Sequence, residues 1–592
     1  MAAATLSDHK VADRKVADHK VRPIMDAALE RTGFDRSRLI FWSVAALTTL
    51  LVIGPIAPIA MQAFLNKPLY DASATLTAAN FGRLVTEAGI GEIALNTVIF
   101  AVLSTIFAQV FGALAAVVIG RTNLPGRGWL GEVLVWPLFV SHLVIAFGWL
   151  TMYGPSGYVT LAVRSWTGVT PWDLYSLSGM GVVAGLSQAP LAYLMCLGAV
   201  SKADAQLEAA ARSVGAGPFR ALWSVTVPMM RPALIYSTVL NFVVAIEMLS
   251  IPLLFGAPNK IETITSFLYD KGINAAVQPD YGIVGAAALI LLAIVAFLVW
   301  LQGRLMVGSN RFVTVRGKAS RPALLDLGRW RWFVFAAVFA YVFFTIVLVF
   351  AGTLMRASVS FLTPLVPFWT LLTTKNFDLI LQTPNYMRSI GNSVLISLIG
   401  GVIGTVLVAI ITLVSRRSEF KGARPLEYIA LFPRSLPGII AGLGFFYAVI
   451  WVPGLDAIRG TIWILILAFM VRYIPVGFGT IAPALAQIGD ELDRGARISG
   501  ADWWTTVTRI IAPLLKPALF STFALLFIHF FKEYVTAVFL FQPGSEIIGT
   551  TMLQLWAQGD NGPVSALATI QVVITAIFVL VARRVLGAKI YG

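Results

Sequence analysis

Six stretches of this chain run for more than twenty residues without a single charged side chain: Leu39–Leu65, Ile93–Gly120, Tyr281–Gly303, Trp332–Met355, Ser389–Ser415 and Asn561–Ala582. About 20 apolar residues in a helix suffice to cross the hydrocarbon of a bilayer. A helix is the form such a segment must take, because it satisfies every backbone N–H and C=O internally where no water can. A helix in a soluble core needs neither that length nor that uniformity. Charged residues make up 12% of the chain, against about 25% in a soluble domain. The expected fold class is therefore an all-α polytopic membrane protein.

Twelve spans can be placed, six in each half. They fall near 39–65, 93–120, 133–152, 174–201, 232–258 and 281–303, then near 332–355, 389–415, 428–455, 461–488, 517–545 and 561–582. Alternate loops differ in charge. One set carries nine Lys/Arg against eleven Asp/Glu, whereas the other is strongly basic. Its connector holds Arg304, Arg311, Arg316, Lys318, Arg321, Arg329 and Arg331 against a single acid, Asp326. The positive-inside bias then puts both termini and this connector in the cytoplasm. The domain reading is a disordered cytoplasmic tail over 1–38, a first half over 39–303, a basic linker over 304–331 and a second half over 332–592. The tail repeats itself at Val11–Lys15 and Val16–Lys20 and mixes eight basic with six acidic residues, unlike a signal peptide.

The net charge of +15 follows from the same bias and implies no nucleic-acid partner. A lone Cys196 forms no disulfide within the chain, and the four histidines show no metal-ligand spacing.

The two halves repeat. Pro190 and Pro475, Arg212 and Arg497, Gly215 and Gly500, Pro228 and Pro513, and Pro232 and Pro517 all share one spacing in sequence. Residues 207–234 and 492–519 share nine identities without a gap. Asn96 and Asn392, and Pro137 and Pro433, share a second, slightly longer spacing. Six spans per repeat give both repeats the same orientation in the membrane. The best-matched block sits in a cytoplasmic loop ahead of each fifth span, near 204–232 and 489–517. Each copy reads as a short helix, a glycine break, an amphipathic stretch and a Pro-x-x-x-Pro lead into the span. The first carries Glu208, Ala209, Ala210, Arg212 and Gly215, and the second Asp493, Gly495, Ala496, Arg497 and Gly500.

These blocks resemble the EAA loop of binding-protein-dependent ABC permeases. The resemblance implies two tandem six-helix repeats of the type I importer kind in a bacterial inner membrane. It also implies that each loop is a coupling helix docked on an ATPase subunit. Gly215 and Gly500 would supply the sharp turn, and the acid–arginine pairs could bond across the interface. Asp493-Arg494-Gly495 departs from Glu-Ala-Ala, so the second helix would dock less symmetrically. Taken singly, either block could be a surface helix with an i, i+4 ion pair. The sequence holds no Gly-x-x-x-x-Gly-Lys-Ser/Thr. Catalysis is therefore not expected of this chain, nor any cofactor; ATP and Mg would be used by a partner ATPase dimer. The other partners implied are a periplasmic solute-binding protein and the lipid membrane.

Fused permeases of this size resemble the ferric-iron branch, which has relatives for thiamine, polyamines and aminophosphonates. Glu247 followed by Ile251–Pro258, and Lys532-Glu533 followed by Phe541–Glu546, carry that likeness. Ionisable groups inside spans are costly and therefore candidates for function. They are Glu247, Arg434, Arg472, Lys532 and Glu533, with His142 and His529. Two readings stand. Glu247 and Glu533, at matching places after their loops, face a central pathway together with Arg472 and Lys532. Alternatively, Glu533 forms a structural pair with Arg472 or Lys532. The Gly181–Gly185 GxxxG gives no further specificity. An ion-coupled secondary transporter with two six-span halves is the rival function, but it gives no reason for the repeated loops.

Overall fold

The computed structural model describes residues 36–202, 210, 211, 213–217, 220, 222–273, 279–306, 324–363 and 366–585. Glu208, Ala209, Arg212, the tail to residue 35 and most of the linker lie outside the described residues.

The first half contains α1 (Arg36–Ile53), α2 (Ile56–Ala63), α3 (Ala79–Thr86), α4 (Ile90–Arg121), α5 (Arg127–Val135), α6 (His142–Tyr153), α7 (Tyr158–Thr167), α8 (Leu177–Lys202), α9 (Arg231–Ile246), α10 (Ile264–Gly272) and α11 (Tyr281–Met306). The second contains α12 (Arg331–Val342), α13 (Leu348–Ala357), α14 (Lys375–Gln382), α15 (Pro384–Arg417), α16 (Ala423–Leu431), α17 (Gly438–Trp451), α18 (Ile462–Ala486), α19 (Glu491–Ile498), α20 (Trp503–Thr506), α21 (Ala512–Lys532), α22 (Ile548–Ala557) and α23 (Asn561–Val585). The β-pairing among the described residues is confined to isolated bridges. Element bounds repeat with the sequence. Helices α14 and α16 begin and end at the positions that match α3 and α5 under the Pro137/Pro433 spacing, and α18 begins where α8 does under the Gly215/Gly500 spacing.

Nine helices among the described residues are long and apolar enough to cross a membrane, and three bent pairs bring the total to as many as twelve. The third spans, placed near 133–152 and 428–455 from sequence, are not continuous helices. Each is broken by 109° between an outer helix and α6 or α17. The break follows from Pro137 and Pro433, which lie in 3₁₀ turns over Trp136–Phe139 and Phe432–Ser435. Proline lacks the donor and crowds the carbonyl four residues back, so a regular helix cannot run through. Ser141 then starts α6 afresh, its hydroxyl accepting the Leu143 N–H at 3.2 Å. The fifth spans end earlier than expected, at Ile246 and Lys532 rather than near 258 and 545.

The halves interlock. The first span of each packs on the third span of the other, α2 against α17 and α13 against α6. Glycines at matching places in the repeat make both crossings close. A Cβ on Gly444 would lie 2.5 Å from the Pro55 carbonyl oxygen, and one on Gly148 would lie 2.7 Å from that of Val349. Since backbone must shift to admit a side chain, Gly148→Val and Gly444→Val should each destabilise the chain by about 1–3 kcal/mol. Thermal unfolding in detergent checks this; an unchanged melting temperature in both would refute the close crossings.

Within the first half, Gly181 and Gly185 seat α8 on α4, where Cβ atoms would fall 2.6 Å from Leu103 Cβ and 2.5 Å from Phe107 Cβ. The GxxxG that carried no information in sequence is a packing face. Asn80 and its repeat mate Asn376 each donate to two carbonyls at the end of the preceding first span, Ala63 and Leu65 or Ala357 and Val359. The end of the linker docks on the first half. Leu325 pairs with Thr122, and Asn123 donates to Asp326 at 2.6 Å. The Gly328 N–H and then Asn123 hold the Asp326 carboxyl below the usual aspartate range. One continuous apolar core runs through both halves.

Candidate functional site

Both fifth spans end on a carboxylate. Glu247 is the C-cap of α9 and Glu533 the C-cap of α21. Between them α18 projects Arg472. Its Nη2 lies 3.8 Å from Glu247 and its Nε 3.6 Å from Glu533, with side chains 17%, 16% and 5% exposed, respectively. A guanidinium of the second half is thus suspended between a carboxylate of each half, away from the solvent screening that weakens surface pairs.

Glu533 is held on all sides. Tyr473 donates its hydroxyl to one oxygen, while the Thr536 N–H at 2.9 Å and the Thr536 hydroxyl at 3.1 Å donate to the other. Arg472 lies 5.6 Å over the Tyr473 ring. Gly438 leaves room for it: a Cβ there would fall 1.7 Å from Arg472 Nη1, which is buried without a hydrogen-bond acceptor. In the first half the places that match Arg472 and Tyr473 hold Ser187 and Gln188, so the repeat supplies two carboxylates but one central cation.

The structure separates Lys532 from this cluster. Its ammonium turns to the Leu138 carbonyl at 2.7 Å, in the broken third span of the first half. Arg434, which occupies the place of Leu138 in the second half, donates in turn to Tyr236 at 2.9 Å and Gln302 at 3.0 Å on α9 and α11. Each third-span break therefore meets the fifth span of the other half through a polar contact. The His529 ring lies 4.8 Å from that of Tyr473. Sequence reasoning missed Tyr473, Tyr236 and Gln302, and gave Thr536 no role at the site. Polar side chains in apolar spans were the available signal, but a tyrosine or a threonine there is too common to stand out.

The second repeated loop forms α19, closes at Gly500 and restarts at α20. Gly215 and Gly500 have φ of +90° and +81°, the left-handed region that favours glycine. The following N–H groups close the turns, Ala216 onto the Ala211 carbonyl and Ala501 onto that of Ala496, both at 3.0 Å. Asp502 caps α20 by accepting the Thr505 N–H at 2.9 Å. Ala496 is buried, and Ala210 and Gly495 are exposed. Val214 and Ile498 stand almost wholly in the open beside the two glycines.

The acid–arginine pair expected to reach a partner is engaged within the chain in the second loop. Asp493 accepts from Arg417 at 2.9 Å, and Arg497 pairs with Glu419. Both partners lie at the end of α15 or just past it, far back in the sequence and without local signature.

A family model described as "Binding-protein-dependent transport system inner membrane component" matches residues 94–306 and 401–589. The ferric transport system permease protein FbpB of Actinobacillus pleuropneumoniae is 24% identical over 82% of this chain and 69% of its own length. A putative ferric transport system permease protein, FbpB 1 of Haemophilus influenzae, is also 24% identical, over 77% of this chain and 71% of its own. Among solved structures, a bacterial ABC transporter involved in import of the acidic polysaccharide alginate aligns with a TM-score of 0.36 at 17% identity, covering 44% of this chain and 96% of that one.

Proposed function

The chain belongs to the family of binding-protein-dependent transport system inner membrane components and is an ABC importer permease, and we propose that the solute it carries is ferric iron. The observation that carries this reading is that Glu247 and Glu533, a carboxylate from each half, converge on Arg472 at the interface between the halves. Carboxylate and phenol oxygens suit a hard, highly charged cation, and Tyr473 adds a phenol beside Glu533. The ferric permeases among the relatives support the same choice.

The rest of the proposal follows from the loops. The basic face, where α15 ends and α19 lies, is cytoplasmic, and both termini are on that side. Two copies of an ATPase dock on the two repeated loops, with Val214 and Ile498 as the apolar contacts beside the glycine turns. A periplasmic solute-binding protein delivers the ion at the opposite face, and ATP and Mg act only in the ATPase. Closure of the ATPase dimer rocks the halves, and because the Arg472–Glu247 contact crosses between them, it opens as they part.

Uptake of radiolabelled ferric iron by an iron-starved deletion strain tests the solute. Restoring the chain should restore uptake well above the background of the deletion strain. Iron uptake indifferent to the chain would overturn the iron assignment and direct the same assay to polyamines, aminophosphonates and thiamine.

A further inference from the structure

Arg417 ends α15 and is 7% exposed, yet it makes four polar contacts to the repeated loop and its approach. Nη1 reaches Asp490 at 2.5 Å and Asp493 at 2.9 Å, and Nη2 reaches the Leu485 carbonyl at 2.9 Å and that of Ile488. The Trp503 indole N–H donates to the Arg417 carbonyl at 3.1 Å, so both sides of the Gly500 turn are tied to the same helix end. A buried guanidinium that satisfies two carboxylates and two carbonyls fixes orientation as well as position.

The other end of α15 is tied just as firmly. Asn392 donates to the carbonyls of Gly544 at 3.1 Å and Glu546 at 2.9 Å, and Ser393 accepts the Ile548 N–H at 2.9 Å. That segment follows Glu533 and Thr536 and opens α22. From Asn392 to Arg417 the helix runs without a proline, about 38 Å at 1.5 Å per residue. The first half repeats the parts. Arg121, the repeat mate of Arg417, is buried at the end of α4, and Thr97, the mate of Ser393, accepts the Ile264 N–H at 2.9 Å.

We propose that α15 is a strut that carries displacement of α19 to the segment beyond Glu533 at the opposite face, with Arg417 and Asn392 as the positioning residues at its two ends. The proposal rests on the reading of the loop as an ATPase-coupling element. On this view the acidic position of the motif works inward: Asp493 fastens the loop to its lever, and the apolar Ile498 faces the partner.

The test uses the whole transporter, this chain with its ATPase subunits and binding protein, in proteoliposomes. Ferric uptake and ATP hydrolysis are measured side by side for Arg417→Gln, Arg417→Lys and Asn392→Ala. In Arg417→Gln and Asn392→Ala, ions imported per ATP should fall about tenfold, within the range of coupling between distant sites. Lysine, which keeps the charge but not the fork, should fall in between. The lesion at Asn392, about 40 Å from α19 by the same helical rise, must mimic the one at Arg417; a purely local packing role for either would not have this effect. An unchanged ratio in Arg417→Gln or Asn392→Ala would overturn the strut. Failure of the ATPase to co-purify with the unaltered chain would instead overturn the coupling reading beneath it.

Discussion

A chain with valine at both Gly215 and Gly500 is expected to reach the membrane at normal levels and to transport nothing measurable. At φ of +90° and +81°, an L residue pays about 1–2 kcal/mol simply for the left-handed backbone, and a β-branched one suits it least. No atom stands within 4 Å of a Cβ at either site, so steric space cannot force a refolding of the surroundings. The strain is instead relieved by re-routing the turn. The Ala216 and Ala501 N–H contacts then open, and Val214 and Ile498 no longer point where a partner would meet them. Because Val214, Gly215, Ile498 and Gly500 are all exposed, insertion and helix packing should survive. Uptake measured with membrane abundance on the same cells checks the expectation. Normal uptake by the double variant would remove the loops from the mechanism, and a double alanine variant should retain part of the activity.

The second large effect is expected at Arg472. Arg472→Leu leaves Glu247 and Glu533 facing each other without their common cation. Breaking a buried ion pair by removing one partner costs about 3–5 kcal/mol, whereas replacing the whole set with apolar groups of similar volume is often nearly neutral. Arg472→Leu should therefore melt well below the unaltered chain in detergent. The triple variant Glu247→Leu, Arg472→Leu, Glu533→Leu should recover much of that loss. Transport should be absent in both, which separates a role in the pathway from a role in stability. A triple variant that melts normally and also transports would leave the cluster with a structural role alone.

The spans were legible because charge-free runs leave a helix no other environment, and the loops because their two copies share glycines, prolines and an arginine at one spacing. The third-span breaks were not legible from hydropathy. Pro137 and Pro433 sit in long apolar windows, and proline is tolerated in membrane helices. The interlock of the halves had no local signal at all. Gly148 and Gly444 look like any glycine in an apolar run until the partner helix is known. Within the candidate site, charge inside an apolar segment picked out Glu247, Arg472 and Glu533, which the fold brings together. It also picked out Lys532, which the fold directs to Leu138 instead. A one-residue step past a helix end turns a side chain to another face, and hydropathy cannot resolve that step. Arg417 was not singled out in the sequence, because its partners Asp490 and Asp493 lie two spans further along the chain.

The most direct measurement is ferric iron import into proteoliposomes that hold this chain with its ATPase subunits, supplied with the iron-loaded binding protein outside and nucleotide inside. Import should require ATP, stop with a non-hydrolysable analogue, and be indifferent to an imposed proton or sodium gradient. Import that follows the gradient and ignores ATP would contradict it.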